Sequence, residues 1–235
     1  MAGYFITGTG TDIGKTWLAC ALLAHWRGEG LATHAVKPVM SGVDDDNLAA
    51  SDAGQLLIAQ EQPVAEAAVA AIAPWRFAPP LSPDMAARRE GREIDIDALV
   101  AFTTDALCRP ATTVVSESAA PTLVEGVGGV MVPLDARHTV LDWIAASGLP
   151  AVLVAGSYLG SMSHTLTALA ALRGRGVPVT AVAVNETPGS AVPLAETLAS
   201  LAAHVEAAAG APVVGIARAE AGEGVAALAR ILRAS

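Results

Sequence analysis

Cysteine, aromatic residues and lysine are all scarce in this sequence. Cys20 and Cys108 are the only cysteines among 235 residues. Two are too few for a disulfide framework, and their spacing suits no metal site. Aromatics make up 4% of the chain against 53% apolar residues, so alanine, valine and leucine must carry the packing. Mean hydropathy is positive. Even so, Glu, Asp, Arg, Gly or Pro breaks every apolar run before the roughly 18–20 residues that span a bilayer. Met1-Ala2-Gly3 leads straight into a strand-like stretch, with no basic and then apolar leader pattern. These absences predict a soluble cytoplasmic protein. Positive charge is also short: the net charge is −9, which argues against nucleic acid or an anionic membrane as partner. Any bound anion must be held by local geometry against the overall field.

The two lysines, against twelve arginines, are Lys15 and Lys37, both in the first fifth of the chain. Lysine is a compact, rotatable point charge and arginine a planar fork. The bias marks two positions where a fork would not fit.

What the sequence does hold is a regular alternation. Tyr4–Thr7, Thr33–Val36, Thr122–Glu125, Ala151–Ala155, Val179–Asn185 and Pro212–Ile216 read as strands. Lys15–Arg27, Ser51–Gln60, Pro83 to near Gly91, Ile96–Cys108, Thr139–Ala146, Ser163–Arg173, Val192–Ala209 and Gly224–Leu232 read as helices. The first helix shows apolar spacing at Leu18, Ala21, Leu22 and His25. Residues 74–83 read as a proline-rich loop, with Ser82-Pro83 opening a helix. There is no repeat, linker or low-complexity tail, so a single domain over residues 1–235 is expected. Strand–helix alternation predicts a three-layer α/β fold with a mostly parallel central sheet. Ligands then sit at the carboxyl ends of the strands, where the glycine loop, Lys37, Glu125 and Asn185 all fall.

Gly8-Thr9-Gly10-Thr11-Asp12-Ile13-Gly14-Lys15-Thr16 joins a strand to a helix, as a phosphate-binding loop requires. Glycines let backbone N–H groups turn toward phosphate oxygens, and the helix N-terminus adds partial positive charge. Lys15 would reach the β- and γ-phosphates and the Thr16 hydroxyl would bind Mg²⁺. Thr9 stands where such loops usually begin with glycine. Lys37, in Lys37-Pro38-Val39-Met40-Ser41-Gly42, reads two ways: a surface lysine at a strand end, or a cation for a carboxylate, carbamate or γ-phosphate with Ser41 beside it. Glu125 ends a strand and reads either as a surface acid at a turn or as the acid that phosphate-loop proteins place near the metal; Gly126, Gly128 and Gly129 allow close backbone approach. Ser51 or Asp52 reads as a helix cap, with Asp52 as a ligand the other reading. Asn185 reads as a purine partner or a turn residue. Asp44-Asp45-Asp46 reads as a solvated acidic turn, and the five histidines show no metal spacing.

Together these segments resemble the dethiobiotin synthetase family over nearly the whole chain. The resemblance rests on Gly8–Thr16, Lys37–Gly42, Ser51-Asp52-Ala53, Ser82-Pro83 through Glu90-Gly91, Val124–Gly129, Leu159-Gly160 through His164, and Asn185. It implies a P-loop NTPase-like fold and an ATP- and Mg²⁺-dependent closure of 7,8-diaminononanoate with CO₂ to dethiobiotin, ADP and phosphate. It implies catalytic roles for Lys37, Lys15, Thr11 and Ser41, and Mg²⁺ ligation by Thr16, Asp52 and Glu125. Nucleotide binding is implied for Asp12, Ile13, Gly14, Lys15, Thr16, Trp17, Asp52, Glu125, Gly126, Val127, Gly128, Asn185 and Glu186, with Asn185 at the adenine. A homodimer with the substrate tail near the interface is implied as well, and Gly160–His164 is a candidate tail contact. Asp84, Ser163, Ala217 and Tyr158 depart from residues common in the family.

Two other readings compete. A partitioning-type P-loop switch protein carries a second lysine five residues before Lys15, where this chain has Gly10. A cobyrinic acid-type amidoligase usually adds a glutaminase domain, for which 235 residues leave no room.

Overall fold

The computed structural model describes residues 3–108 and 120–234. In chain order the strands are β1 (Gly3–Gly8), β2 (Ala35–Val36), β3 (Val39–Ser41), β4 (Trp75–Phe77), β5 (Thr122–Glu125), β6 (Ala151–Gly156), β7 (Val179–Asn185) and β8 (Val213–Ile216). The α-helices are α1 (Lys15–Gly28), α2 (Asp52–Ala59), α3 (Glu66–Ile72), α4 (Pro83–Arg89), α5 (Ile96–Cys108), α6 (Val140–Ser147), α7 (Ser161–Gly174), α8 (Leu194–Ala209) and α9 (Ala221–Ala234), with a 3₁₀ segment at Asp45–Ala50.

Six strands form one parallel sheet in the order β2-β5-β1-β6-β7-β8. β1, β5 and β6 are buried at every residue, as their unbroken apolar runs require in a sheet covered on both faces. Only β1 is out of sequence order, between β5 and β6, so the topological switch lies at its carboxyl end. Register brings the chemistry to that edge. Val36 pairs with Val124, and Ile6 with Glu125, which sets Lys37 beside Glu125. Gly8 pairs with Val154, and Asn185 with both Gly156 and Ile216.

The helices bury apolar stripes against this sheet. α1 packs Leu18, Ala19, Leu22, Leu23 and Trp26 into the core. The expected stripe through His25 is therefore rotated: His25 stays half-exposed and pairs with Glu29 at 3.3 Å. Phe5 meets Trp143 edge to face, with ring centroids 4.6 Å apart. The buried Trp143 indole donates to Thr103 Oγ1 at 2.9 Å, which ties α6 to α5. Large side chains buried like these contribute about 1.5–3 kcal/mol each.

Most expected elements form within a residue or two. α7 starts at Ser161 rather than Ser163. The acidic stretch 44–46 is not a plain turn, because Asp44 accepts from the Asp46 N–H at 3.0 Å and starts the 3₁₀ segment. Three elements were not anticipated: α3, β3 and β4. β3 and β4 make a second, two-stranded parallel sheet, pairing Val39 with Trp75, Met40 with Arg76 and Ser41 with Phe77. Three-residue strands are too short to show a period. This small sheet ties the Lys37–Gly42 segment to the proline-rich loop: Gly42 N–H donates to Pro79 O at 3.1 Å.

Candidate active site

The loop after β1 wraps into α1 through two residues with positive φ, Asp12 at 57° and Gly14 at 88°. Glycine is required at 14 on a second count. A Cβ there would lie 2.6 Å from Asn185 Nδ2. Asn185 Nδ2 in turn donates to the carbonyls of Ile13 at 2.8 Å and Gly14 at 3.3 Å. The strand-end asparagine thus straps down the phosphate loop, and its Oδ1 is buried with no partner. Lys15 is 7% exposed and donates to the Gly10 carbonyl at 2.6 Å. Burial, and then repulsion from Lys37, push its pKa down to about 8, against the opposing pull of Glu125, Asp52 and Asp12.

Lys37 is 2% exposed, which disposes of the surface-lysine reading. Its ammonium donates to Glu125 Oε1 at 2.6 Å and to the Gly126 carbonyl at 2.8 Å, and pairs with Asp52 Oδ2 at 2.9 Å. Burial alone would lower its pKa, but Glu125 and Asp52 hold it above the usual lysine value. Burial likewise pushes the Asp52 carboxyl up, yet Lys37, Thr16 and Lys15 keep it below its ordinary value. Of Ser51 and Asp52, Ser51 is the cap, its hydroxyl accepting from Gly54 N–H at 3.1 Å, and Asp52 is the first residue of α2. Asp52 turns its carboxylate to Lys37.

Thr16 Oγ1 donates to Glu125 Oε1 at 2.6 Å, and Glu125 Oε2 is buried without a partner. Thr16, Asp52 and Glu125 therefore present a hydroxyl and two carboxylates at one point. This is an oxygen set suited to a hard divalent ion that takes its remaining ligands from water and phosphate. Among the described residues there is no cluster of three or more His, Cys, Asp or Glu side chains. Any metal here is bound by few protein ligands.

These groups border a cleft of about 660 Å³ lined by Thr11, Asp12, Gly14, Lys15, Thr16, Trp17, Lys37, Ser41, Asp52, Glu125, Val127 and Gly128. Gly126 contributes its carbonyl to Lys37 instead of lining the space. The far wall is Met40, Pro80, Leu81, Ser82, Pro83 and Val132. Met40 lies in the Lys37–Gly42 segment and residues 80–83 in the proline-rich loop, but nothing in the sequence placed them across the cleft; the small β3–β4 sheet brings that loop there. Ser82 does not cap α4 with its side chain, and donates instead to Asp84 Oδ1 at 2.5 Å. A second cavity of about 350 Å³ lies on the other side of Trp17, lined by Asp12, Ile13, Gly14, Asn185, Glu186, Thr187, Pro188, Ile216, Ala217 and Arg218. The stretch 158–164 borders neither space. There Tyr158 Oη pairs with His164 Nδ1 at 2.8 Å, and Leu159 is 86% exposed.

The chain is similar to proteins already known. A family model described as an AAA domain matches residues 2–220. The ATP-dependent dethiobiotin synthetase BioD of Acidiphilium cryptum is 50% identical over 87% of this chain and 89% of its own length. The protein of the same name from Methylobacterium nodulans is 45% identical over the same shares. Among solved structures, the signal recognition particle receptor FtsY of Elizabethkingia anophelis in complex with GDP matches with a TM-score of 0.50 at 14% identity. That match covers 99% of this chain and 64% of FtsY. A DUF1611 protein of Anabaena variabilis also matches at 0.50 and 15% identity, over 100% of this chain and 57% of its own. At such identities the likeness is one of fold, that of the P-loop NTPases. No helix among the described residues is long and apolar enough to cross a membrane.

Proposed function

The chain belongs to the dethiobiotin synthetase family, and we propose that it performs the ATP-dependent ring closure of 7,8-diaminononanoate with CO₂, giving dethiobiotin, ADP and phosphate. The observation that carries this reading is one cleft holding a phosphate loop, two buried lysines and Ser41. The reaction brings an anionic carbamate to an anionic γ-phosphate, and their meeting needs positive charge on both sides.

One amine adds to CO₂ and loses a proton, leaving a carbamate. Lys37 and Lys15 hold its charge and that of the γ-phosphate, with Thr11 and Ser41 as hydroxyl donors. A carbamate oxygen attacks the γ-phosphorus in line and ADP departs, leaving a carbamic–phosphoric anhydride. The second amine attacks the carbonyl carbon, phosphate leaves, and the ureido ring closes. The work is positioning and electrostatics, as in other phosphoryl transfers. Met40, Leu81, Pro83, Val127 and Val132 offer the polymethylene tail an apolar wall.

The 12–17 loop, Asp52 and residues 125–128 bind the nucleotide, while Asn185 and Glu186 face the base cavity. Thr16, Asp52 and Glu125 would hold Mg²⁺, and the unpartnered Glu125 Oε2 supports that fit. When bound, Mg²⁺ supplies neutralising charge to the phosphate oxygens. The reading includes one domain over the chain, a cytoplasmic setting, and a homodimer that completes the tail site.

Phosphate release from ATP, with and without diaminononanoate plus bicarbonate, tests it. Release that needs both is expected. Release without the diamine, or none with it, would overturn the assignment. Lys37→Gln should lower turnover at least about 10²–10³-fold with ATP binding retained, the usual cost of losing a placed donor.

A further inference from the structure

Three acceptors use all three N–H bonds of the Lys37 ammonium: Glu125 Oε1, Gly126 O and Asp52 Oδ2, at 2.6, 2.8 and 2.9 Å. Thr16 Oγ1 reaches the same Glu125 oxygen at 2.6 Å. Lys37 and Glu125 are buried, 2% and 1% exposed, while the Asp52 side chain is 43% exposed toward the cleft. The ammonium therefore stands against the two carboxylates assigned above to Mg²⁺, taking Glu125 Oε1 and leaving Oε2 without a partner.

Two cations cannot share that point. Ammonium and Mg²⁺ a few ångströms apart repel, and each of the two carboxylates the metal would use already gives one oxygen to Lys37. A lysine so fully engaged also has no N–H left for a carbamate or a γ-phosphate.

We infer that Lys37 is the resident counter-cation of the metal site, neutralising Asp52 and Glu125 when they carry no metal and being released into the cleft when the divalent ion takes those carboxylates. This rests on the assignment of Thr16, Asp52 and Glu125 as metal ligands. Under it the second catalytic lysine becomes available only once the metal–nucleotide complex is in place. A rotatable point charge can make that move, whereas a planar guanidinium bound by a rigid fork is poorly suited to it.

The scarcity of lysine makes the test direct. In protein labelled with ¹⁵N-lysine only Lys15 and Lys37 contribute side-chain signals, and Lys15→Met assigns them by difference. A non-hydrolysable ATP analogue in EDTA should move the Lys15 signal and leave Lys37 in place. Adding Mg²⁺ should then move Lys37. By calorimetry without nucleotide, Lys37→Gln should bind Mg²⁺ at least about tenfold more tightly than the native protein, a difference of ~1.4 kcal/mol. The labelling experiment reads native protein, so it decides the matter even where the variant folds poorly. A Lys37 signal that stays put while Mg²⁺ and the analogue bind, or unchanged or weaker Mg²⁺ affinity in folded Lys37→Gln, overturns the exchange and leaves the metal assignment standing. Failure of Mg²⁺ to bind either protein, with or without nucleotide, overturns both.

Discussion

Asn185 donates its side-chain amide to the carbonyl of Ile13 at 2.8 Å. The contact joins the end of β7 to the phosphate loop, beside the second cavity that both line.

Asn185→Ala leaves the Ile13 carbonyl unpaired, while that of Gly14 keeps the Leu18 N–H at 3.0 Å, and an unsatisfied buried acceptor costs about 1–3 kcal/mol. Nucleotide affinity should fall roughly ten- to a hundredfold. Asn185→Asp should do worse, because a carboxylate would face the Ile13 and Gly14 carbonyls with no N–H to offer. Titration calorimetry with an ATP analogue checks the order. Equal affinity in the aspartate variant and native protein would remove the strap from the account.

Lys15, pushed down to about 8 by burial and then by Lys37, makes nucleotide binding depend on pH. Bound phosphates favour its charged form, so binding near pH 8 takes up a proton. Affinity should be highest below pH 8 and fall above it, by at most about tenfold per pH unit. Calorimetry at pH 7, 8 and 9 in buffers of different ionisation heat measures both effects. In Lys15→Met this part of the dependence should vanish. For the unliganded fold the sign reverses. Between about 8 and the ordinary 10.5 the unfolded chain binds the extra proton, so Lys15's contribution to stability improves as pH rises through that window.

The two cysteines should differ sharply toward a thiol reagent. Burial, and then the charges of Glu125 and Asp52, push the Cys20 thiol up to about 12, while Cys108 is exposed. The thiolate is the reactive form. At pH 8 the native protein should release one equivalent of chromophore from a disulfide reagent rapidly, and two in denaturant. Two fast equivalents from native protein would show Cys20 to be open.

Thr103→Val tests the junction of α5 with α6. It keeps the shape but removes the acceptor of the buried Trp143 N–H, a loss of about 1–3 kcal/mol. Urea unfolding should show a lower midpoint at unchanged slope. An unmoved midpoint would mean that water or another group takes the indole proton.

How much of this was readable along the chain varies with range. The β1–loop–α1 unit reads cleanly because glycine, lysine and threonine at fixed spacing act locally on one turn. The buried strands read from their apolar runs, and the start of α4 from Ser82-Pro83, although the Ser82 side chain turns to Asp84 instead of capping. By contrast, β3 and β4 carry too few residues for a period, so the far wall of the cleft could not be located. Asn185 stayed ambiguous for a related reason, since both carbonyls it holds lie more than 170 positions away.

By itself, the sequence determined the alternating α/β order, the phosphate loop and the short list of polar residues at strand ends, because each follows from propensities and spacings over a few residues. Its resemblance to one family named the chemistry. Only the tertiary structure decided what Lys37 is. Parallel register sets it beside a glutamate 88 positions away, and folding removes both from water. A charge in that setting must be paired. Pairing with Asp52 and Glu125 turns an ordinary strand-end lysine into the electrostatic centre of the site.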